Sequence, residues 1–140
     1  MTWQRGKSKY GSKRTEVDGV TFDSKGEAKR YTDLLLLNVA GKISRLERQV
    51  RFKLYGRGGA EICTYVADFV YFEDNKRVAE DFKAVRTADF KLKAKLFADN
   101  YPGVELRLTG DWQRIEDKAR AKSRAKYAQK KMLALMGDQT

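Results

Sequence analysis

Two acids and a lysine on neighbouring apolar segments are the residues of this chain best placed to do chemistry. Asp68 interrupts the run Thr64-Tyr65-Val66-Ala67-Asp68-Phe69-Val70-Tyr71-Phe72, and Asp81 and Lys83 close the run Lys76-Arg77-Val78-Ala79-Glu80-Asp81-Phe82-Lys83. Both runs have the aromatic and β-branched content of strands, and Glu73-Asp74-Asn75 between them reads as a turn. Side chains alternate faces along a strand, so Asp81 and Lys83 point the same way, with Asp68 opposite them if the hairpin register allows. Glu80 then points to the other face and reads as structural or solvated. A carboxylate set among apolar neighbours without a partner is destabilising, or takes up a proton. Two explanations compete. One is a structural ion pair, for instance with Lys83; the other is a site for a hard cation, where magnesium suits oxygen ligands and phosphate substrates.

The absences narrow the chemistry further. The chain has no histidine, and Cys63 is its single cysteine. Disulfides, zinc fingers, His-based metallonucleases and Ser-His or Cys-His hydrolases are thereby excluded. Cys63 reads as a small apolar packing residue. Carboxylates, lysines, hydroxyls and a hard cation are left to do any hydrolysis. The 30 Lys and Arg against 19 Asp and Glu give a net charge of +11, which favours nucleic acid or an anionic membrane surface as partner. The longest aliphatic run, Leu34 to Leu37, is far short of the roughly twenty residues of a membrane span. The charged opening, Met1 to Lys7, does not read as a secretory signal. A cytoplasmic setting without a membrane partner is expected.

These residues need elements to position them, and a chain of 140 residues is one domain-sized unit. Residues 1–14 read as a basic arm carrying Arg5, Lys7, Lys9, Lys13 and Arg14, either a solvated tail or a segment that orders on a phosphate backbone. Val17-Asp18-Gly19-Val20-Thr21-Phe22 reads as a tight hairpin. Ser24, with Glu27 three residues on, has the spacing of a capping box, and Gly41 ends the helix that follows. Glu27 starts a helical stripe continued by Tyr31, Leu34 and Leu35.

Strands are expected over Ile43 to Leu54, Ile62 to Phe72 and Val78 to Val85. Gly56-Arg57-Gly58-Gly59 is an ordinary turn, since no Gly-Lys-Ser/Thr follows it. Thr87 caps a second helix, Ala88 to Tyr101, with Phe90, Ala94, Phe97 and Tyr101 on one side. Pro102-Gly103 breaks it, and a strand over Val104 to Leu108 follows. A long basic helix runs from Asp111 to about Met136. The expected organisation is an α/β core over residues 15–110, in the order helix, three-stranded antiparallel meander, helix, strand. A basic helix and tail are appended over residues 111–140.

In this order the chain resembles the PD-(D/E)XK nuclease superfamily, and within it small phage-encoded endonuclease-like proteins. The carriers are Lys9-Tyr10-Gly11-Ser12-Lys13, Val17 to Lys25, Glu27-Ala28, Tyr65-Val66-Ala67-Asp68-Phe69 and Glu80-Asp81-Phe82-Lys83. Related sequences tend to have Gln-Pro where Gln49-Val50 stands, and glycine where Ala84 follows Lys83.

The resemblance implies a restriction-endonuclease-like core and a metal-dependent endodeoxyribonuclease. Asp68 and Asp81, with the carbonyl of Phe82, would hold Mg²⁺, for which Mn²⁺ can substitute. Lys83 would orient water or stabilise charge, and Glu27 matches a helical glutamate that several branches add to the metal site. Gln49 would orient water or backbone. DNA would be held by the basic arm, by Lys93, and by Lys118, Arg120, Lys122, Arg124 and Lys126 on the last helix. Lys93 has a second reading, as a stem lying along apolar surface.

Branched DNA such as a Holliday junction is one substrate the resemblance implies. It would call for a homodimer, for which Leu133, Leu135 and Met136 offer a surface, in a bacterial host cell. Two alternatives stand beside it: a non-catalytic nucleic-acid-binding protein with structural carboxylates, and a phage adaptor that binds a host protein through its basic helix.

Overall fold

The computed structural model describes residues 14–83 and 86–137; Arg5, Lys7, Lys9, Lys13, Ala84 and Val85 lie outside them. The elements are β1 (Thr15–Val17), β2 (Val20–Phe22), α1 (Lys25–Val39), β3 (Ser44–Tyr55), β4 (Glu61–Glu73), β5 (Lys76–Phe82), α2 (Ala88–Asn100), β6 (Val104–Thr109) and α3 (Trp112–Gly137). The fold is mixed α/β. β3, β4 and β5 form an antiparallel meander, and β6 lies parallel to β5. A parallel return requires a crossover, which α2 supplies.

Local chemistry sets most of the boundaries. β1 and β2 form a separate hairpin through Asp18 and Gly19, whose φ angles of 54° and 76° suit a two-residue turn of the hairpin type. The Ser24 hydroxyl accepts from the Glu27 amide at 3.1 Å, and the Thr87 hydroxyl accepts from the Phe90 amide at 3.1 Å, starting α1 and α2. α1 ends at Val39 with Ala40 as its cap, and Gly41 follows in the left-handed region. α2 stops at Asn100, one residue before the expected end, with Tyr101 as its cap. β5 ends at Phe82, with the Lys83 amide still donating to the Thr109 carbonyl at 2.8 Å; Val85, where the strand is expected to end, lies outside the described residues.

Two apolar cores lie on opposite faces of the sheet. Beneath α2 are Phe52, Leu54, Tyr65, Ala67, Val70, Ala79, Phe90 and Phe97. Phe97 sits at their centre, with ring centroids 5.1 Å from Phe52 and 5.4 Å from Tyr65 in edge-on geometry. Beneath α1 and the hairpin are Phe22, Ala28, Leu34, Ile43, Phe69, Tyr71 and Val78. α3 buries no residue. It is held at its first turn: the Trp112 amide donates to the Lys83 carbonyl at 3.1 Å, and Arg86 grips Glu116 at 2.7 and 2.6 Å while lying over the Trp112 ring. Among the described residues no helix is long and apolar enough to cross a membrane.

Candidate functional site

Asp68 stands where the alternation of two strands slips by one residue. On β4, Tyr65, Ala67 and Val70 line the core beneath α2, whereas Phe69 and Tyr71 line the core beneath α1. On β3, Val50, Phe52 and Leu54 belong to the α2 side, whereas Arg48 places its guanidinium 4.5 Å from the Phe22 ring centroid and 5.4 Å from that of Tyr31. Both strands therefore exchange faces across the Gln49–Asp68 step. Gln49 has φ 51°, a conformation uncommon outside glycine that costs about 1–2 kcal/mol. Strict period-two reading does not foresee this slip. Its effect is to hand the Asp68 carboxylate to the backbone of β5: Oδ2 accepts from the Phe82 amide at 2.8 Å, and Oδ1 accepts from Gln49 Nε2 at 3.2 Å.

Asp81 meets Asp68 one step beyond the Phe69–Glu80 pair of the β4–β5 ladder. It is almost wholly buried, and its Oδ2 accepts from the Tyr65 hydroxyl at 2.7 Å. Lys83 Nζ lies 3.3 Å from the same oxygen and 4.7 Å from the Phe90 ring centroid. The ion pair of the site is thus Lys83 with Asp81, and the one entertained between Lys83 and Asp68 is not made. Burial first, then a hydrogen bond to Asp81 and the charges of Asp81 and Glu27, push the Asp68 carboxyl up to about 8, against the opposing Phe82 amide. Burial and the Asp81 charge also raise the Tyr65 phenol, so it remains a donor.

Glu27 belongs to the same field. Burial, Asp23 and Asp81 raise its carboxyl, while Arg48 and Lys83 oppose them. The Ser24 hydroxyl caps α1 alone: among the described residues the Glu27 carboxylate makes no return bond to Ser24. The capping role that competed for this side chain is therefore unfilled. α1 approaches β5 this closely because residue 26 is glycine; a Cβ there would lie 2.4 Å from Phe82 Cζ. Gly110, at φ 97°, does the same for the loop after β6, where a Cβ would lie 2.5 Å from the Lys83 carbonyl oxygen. Among the described residues no three Asp, Glu or Cys side chains are gathered into a metal-holding set. The Asp68–Asp81 pair is the unit present.

The remaining residues singled out in the sequence are dispersed. Glu80 is buried and unsolvated, bound by Arg30 at 2.7 Å through both Nε and Nη2, by the Tyr71 hydroxyl at 2.7 Å and by Thr109 Oγ1 at 3.3 Å. Lys93 pairs with Asp89 one turn back on α2, at 3.4 Å. Arg14 is exposed ahead of β1, and Lys118, Arg120, Lys122, Arg124 and Lys126 are exposed along α3. Sequence reasoning missed two neighbours of the acids. Tyr65 is three residues from Asp68 and reaches the site only through the slip; its signal was a buried phenol in need of a partner. Arg48 has a buried Nε without a hydrogen-bond partner and bears on Glu27.

No curated protein and no solved structure matches the chain. A family model described as "Protein of unknown function (DUF1064)" matches residues 7–116, a span that takes in Glu27, Asp68, Asp81 and Lys83. With most of its length matched, the chain belongs to the DUF1064 family.

Proposed function

We propose that the protein is a Mg²⁺-dependent DNA endonuclease with a restriction-endonuclease-like core of the PD-(D/E)XK kind. One observation carries the reading: Asp68 and Asp81 face each other at the end of β5, with Glu27 in the same field and Lys83 beside Asp81. Carboxylates held this way are short of positive charge. The donors suit a hard cation, being the carboxylates of Asp68 and Asp81 and the carbonyl of Phe82, with Glu27 near enough to feel the Asp81 charge. Bound there, Mg²⁺ would offset charge on the scissile phosphate and acidify a water. Lys83, anchored to Asp81, would steady the attacking water or the developing charge. Tyr65 and Gln49 fix the rotamers of Asp81 and Asp68.

The order helix, antiparallel meander, helix, parallel strand supports the fold assignment. The net charge of +11 and the exposed cations of α3 support DNA as the partner. A phage origin, a bacterial cytoplasm, a homodimer and a branched substrate rest on the resemblance. A second reading, a nucleic-acid-binding protein with structural carboxylates, is favoured by the lack of a three-acid set among the described residues. One assay separates the two. Supercoiled, linear, single-stranded and four-way-junction DNA are incubated with the protein in Mg²⁺, in Mn²⁺ and in EDTA, beside Asp81→Asn. Cutting in either metal, absent in EDTA and lost in the variant, is expected. Intact DNA throughout would leave the second reading, and equal cutting by the variant would remove the site assignment.

A further inference from the structure

A cleft of about 360 Å³ opens between α2 and the end of β6, lined by Arg86, Phe90, Lys91, Ala94, Lys95 and Leu108. Its volume lies near the lower end of small-ligand sites, about 300–1,000 Å³, enough for a single nucleotide-sized group. Its walls carry three cations and no acid. Arg86 is committed to Glu116, whose charge also bears on Lys91, but Lys91 and Lys95 are exposed and make no salt bridge among the described residues. They are four residues apart on α2, so their stems project side by side, with Cβ atoms about 5–6 Å apart.

The cleft joins the site through one residue. Phe90 forms part of its floor, and the Lys83 ammonium lies over the same ring at 4.7 Å. A path of positive charge therefore leads from Asp81 through Lys83 and across Phe90 to Lys91 and Lys95. The cavity on the α1 side of Phe82 offers no such path: Asp33 and Asp111 line it with Lys29 and Arg30, and Arg30 is bound to Glu80.

We propose that this cleft is the phosphate-backbone subsite for the nucleic-acid strand adjoining the scissile bond, with Lys91 and Lys95 as its anion contacts. This deepens the nuclease reading and rests on it. Phe90 is nearly buried, so the cleft recognises phosphate and sugar; it provides no platform on which a base could stack. The contacts carry no sequence preference and set register along the strand. Lys93, on the same helix, is directed to Asp89 instead.

The test measures binding apart from cutting. Labelled duplex and single-stranded DNA are titrated in EDTA across a salt series with the Asp81→Asn protein, and with the same protein carrying Lys91→Gln and Lys95→Gln. Lys42→Gln, in the turn between α1 and β3, is the control. The double substitution should flatten the dependence of log K on log salt by about 2, roughly one per lysine that meets a phosphate, with the control unchanged. Both lysines are exposed, so thermal midpoints should stay the same. An unchanged slope overturns the subsite. Loss of binding to a polyglutamate peptide with an unchanged DNA slope also overturns it, and assigns the cleft to an acidic protein. In the otherwise wild-type protein the double substitution should raise KM for DNA several-fold and spare kcat. Wild-type protein that cuts nothing in Mg²⁺ or Mn²⁺ but shows the slope change loses the nuclease reading, and with it the place beside a scissile bond, and leaves the cleft as a phosphate contact of a nucleic-acid-binding protein.

Discussion

Glu80 and Asp81 are consecutive residues of β5, both buried, and they end in opposite electrostatic states. Glu80 faces the α1 side and is answered on every side. Arg30 binds it with two parallel hydrogen bonds, and Tyr71 and Thr109 supply two more. Burial and the bond to Glu80 push the Tyr71 phenol up to about 12, and its hydroxyl is joined in turn by Arg107, which also holds Glu73 and Glu105. Asp81 faces the α2 side, meets Asp68 at the next register step, and has Lys83 and Tyr65 to answer it. Burial of a carboxylate is therefore not the mark of a working site. An excess of like charge, left uncompensated by the fold, is the better mark, because a ligand can supply what the chain withholds.

If that distinction is right, deleting an acid has opposite consequences on the two faces. Glu80→Ala strands Arg30 and Tyr71 and should lower stability by about 3–5 kcal/mol, read by urea denaturation. A loss under about 1 kcal/mol would mean that the network is ornamental and the contrast false. Asp68→Asn should do the reverse in EDTA, raising the thermal midpoint while removing metal-dependent cutting. The sign with pH follows from the folded carboxyl standing at about 8, against about 3.9 in an unfolded chain. Between those values the folded state binds the extra proton. The contribution of Asp68 to stability is therefore fully present below about pH 4 and is lost as pH rises through about 8. Metal-free wild type should weaken over that range by up to about 1 kcal/mol per pH unit, and Asp68→Asn should flatten the slope. Equal slopes would show that Asp68 is not in the strained state assigned to it.

Much of the frame was legible because its signals are local. Ser24, Thr87, the Asp18-Gly19 turn and Pro102-Gly103 each act within a few residues, and the elements begin and end close to where they say. That Asp81 and Lys83 share a face was legible for the same reason, being two residues apart on one strand, whereas the ion pair expected between Lys83 and Asp68 forms with Asp81 instead. The rest depends on partners far along the chain. Arg30 is fifty residues from Glu80. The slip at Gln49 and Asp68 needs two strands to deform together, and glutamine, unlike glycine or asparagine, does not advertise a left-handed backbone. That slip brings Tyr65 to Asp81, so a strict alternation could not name it. Lys93 is expected at DNA, and Asp89 one turn back on α2 holds it instead, a neighbour four residues away that a reading of the apolar stripe does not weigh.

A smaller perturbation tests whether the site depends on its frame as well as its acids. Gly110→Ala forces a side chain against the Lys83 carbonyl and into a left-handed φ, at about 1–2 kcal/mol of stability. Because the Thr109 carbonyl and the Trp112 amide both hold the Lys83 backbone, cutting should fall more than that loss of stability implies. Gly103→Ala, where a Cβ meets nothing within 4 Å, is the matched control for an added methyl group. Equal activity in the two proteins at a temperature where both are folded would separate Lys83 from the β6–α3 loop.

The finest comparison removes the same atom from each face. Tyr71→Phe deletes a donor to Glu80, and Tyr65→Phe deletes a donor to Asp81. Each deletion costs about 1–3 kcal/mol of stability, the range for removing one donor from a buried acceptor, since each leaves the ring packing intact. Their effects on cutting should differ. Glu80 keeps Arg30 in place of Tyr71, so Tyr71→Phe should leave kcat near wild type. Asp81 loses the neutral donor that fixes its rotamer, and Tyr65→Phe should lower metal affinity or kcat about 10- to 100-fold, the usual range for a group that orients a ligand. Metal affinity read by the shift in thermal midpoint with added Mg²⁺ separates the two causes without a cutting assay. Were both phenylalanine variants to cut and bind metal alike, the two faces of β5 would be equivalent. The excess of charge around Asp81 would then have no bearing on function.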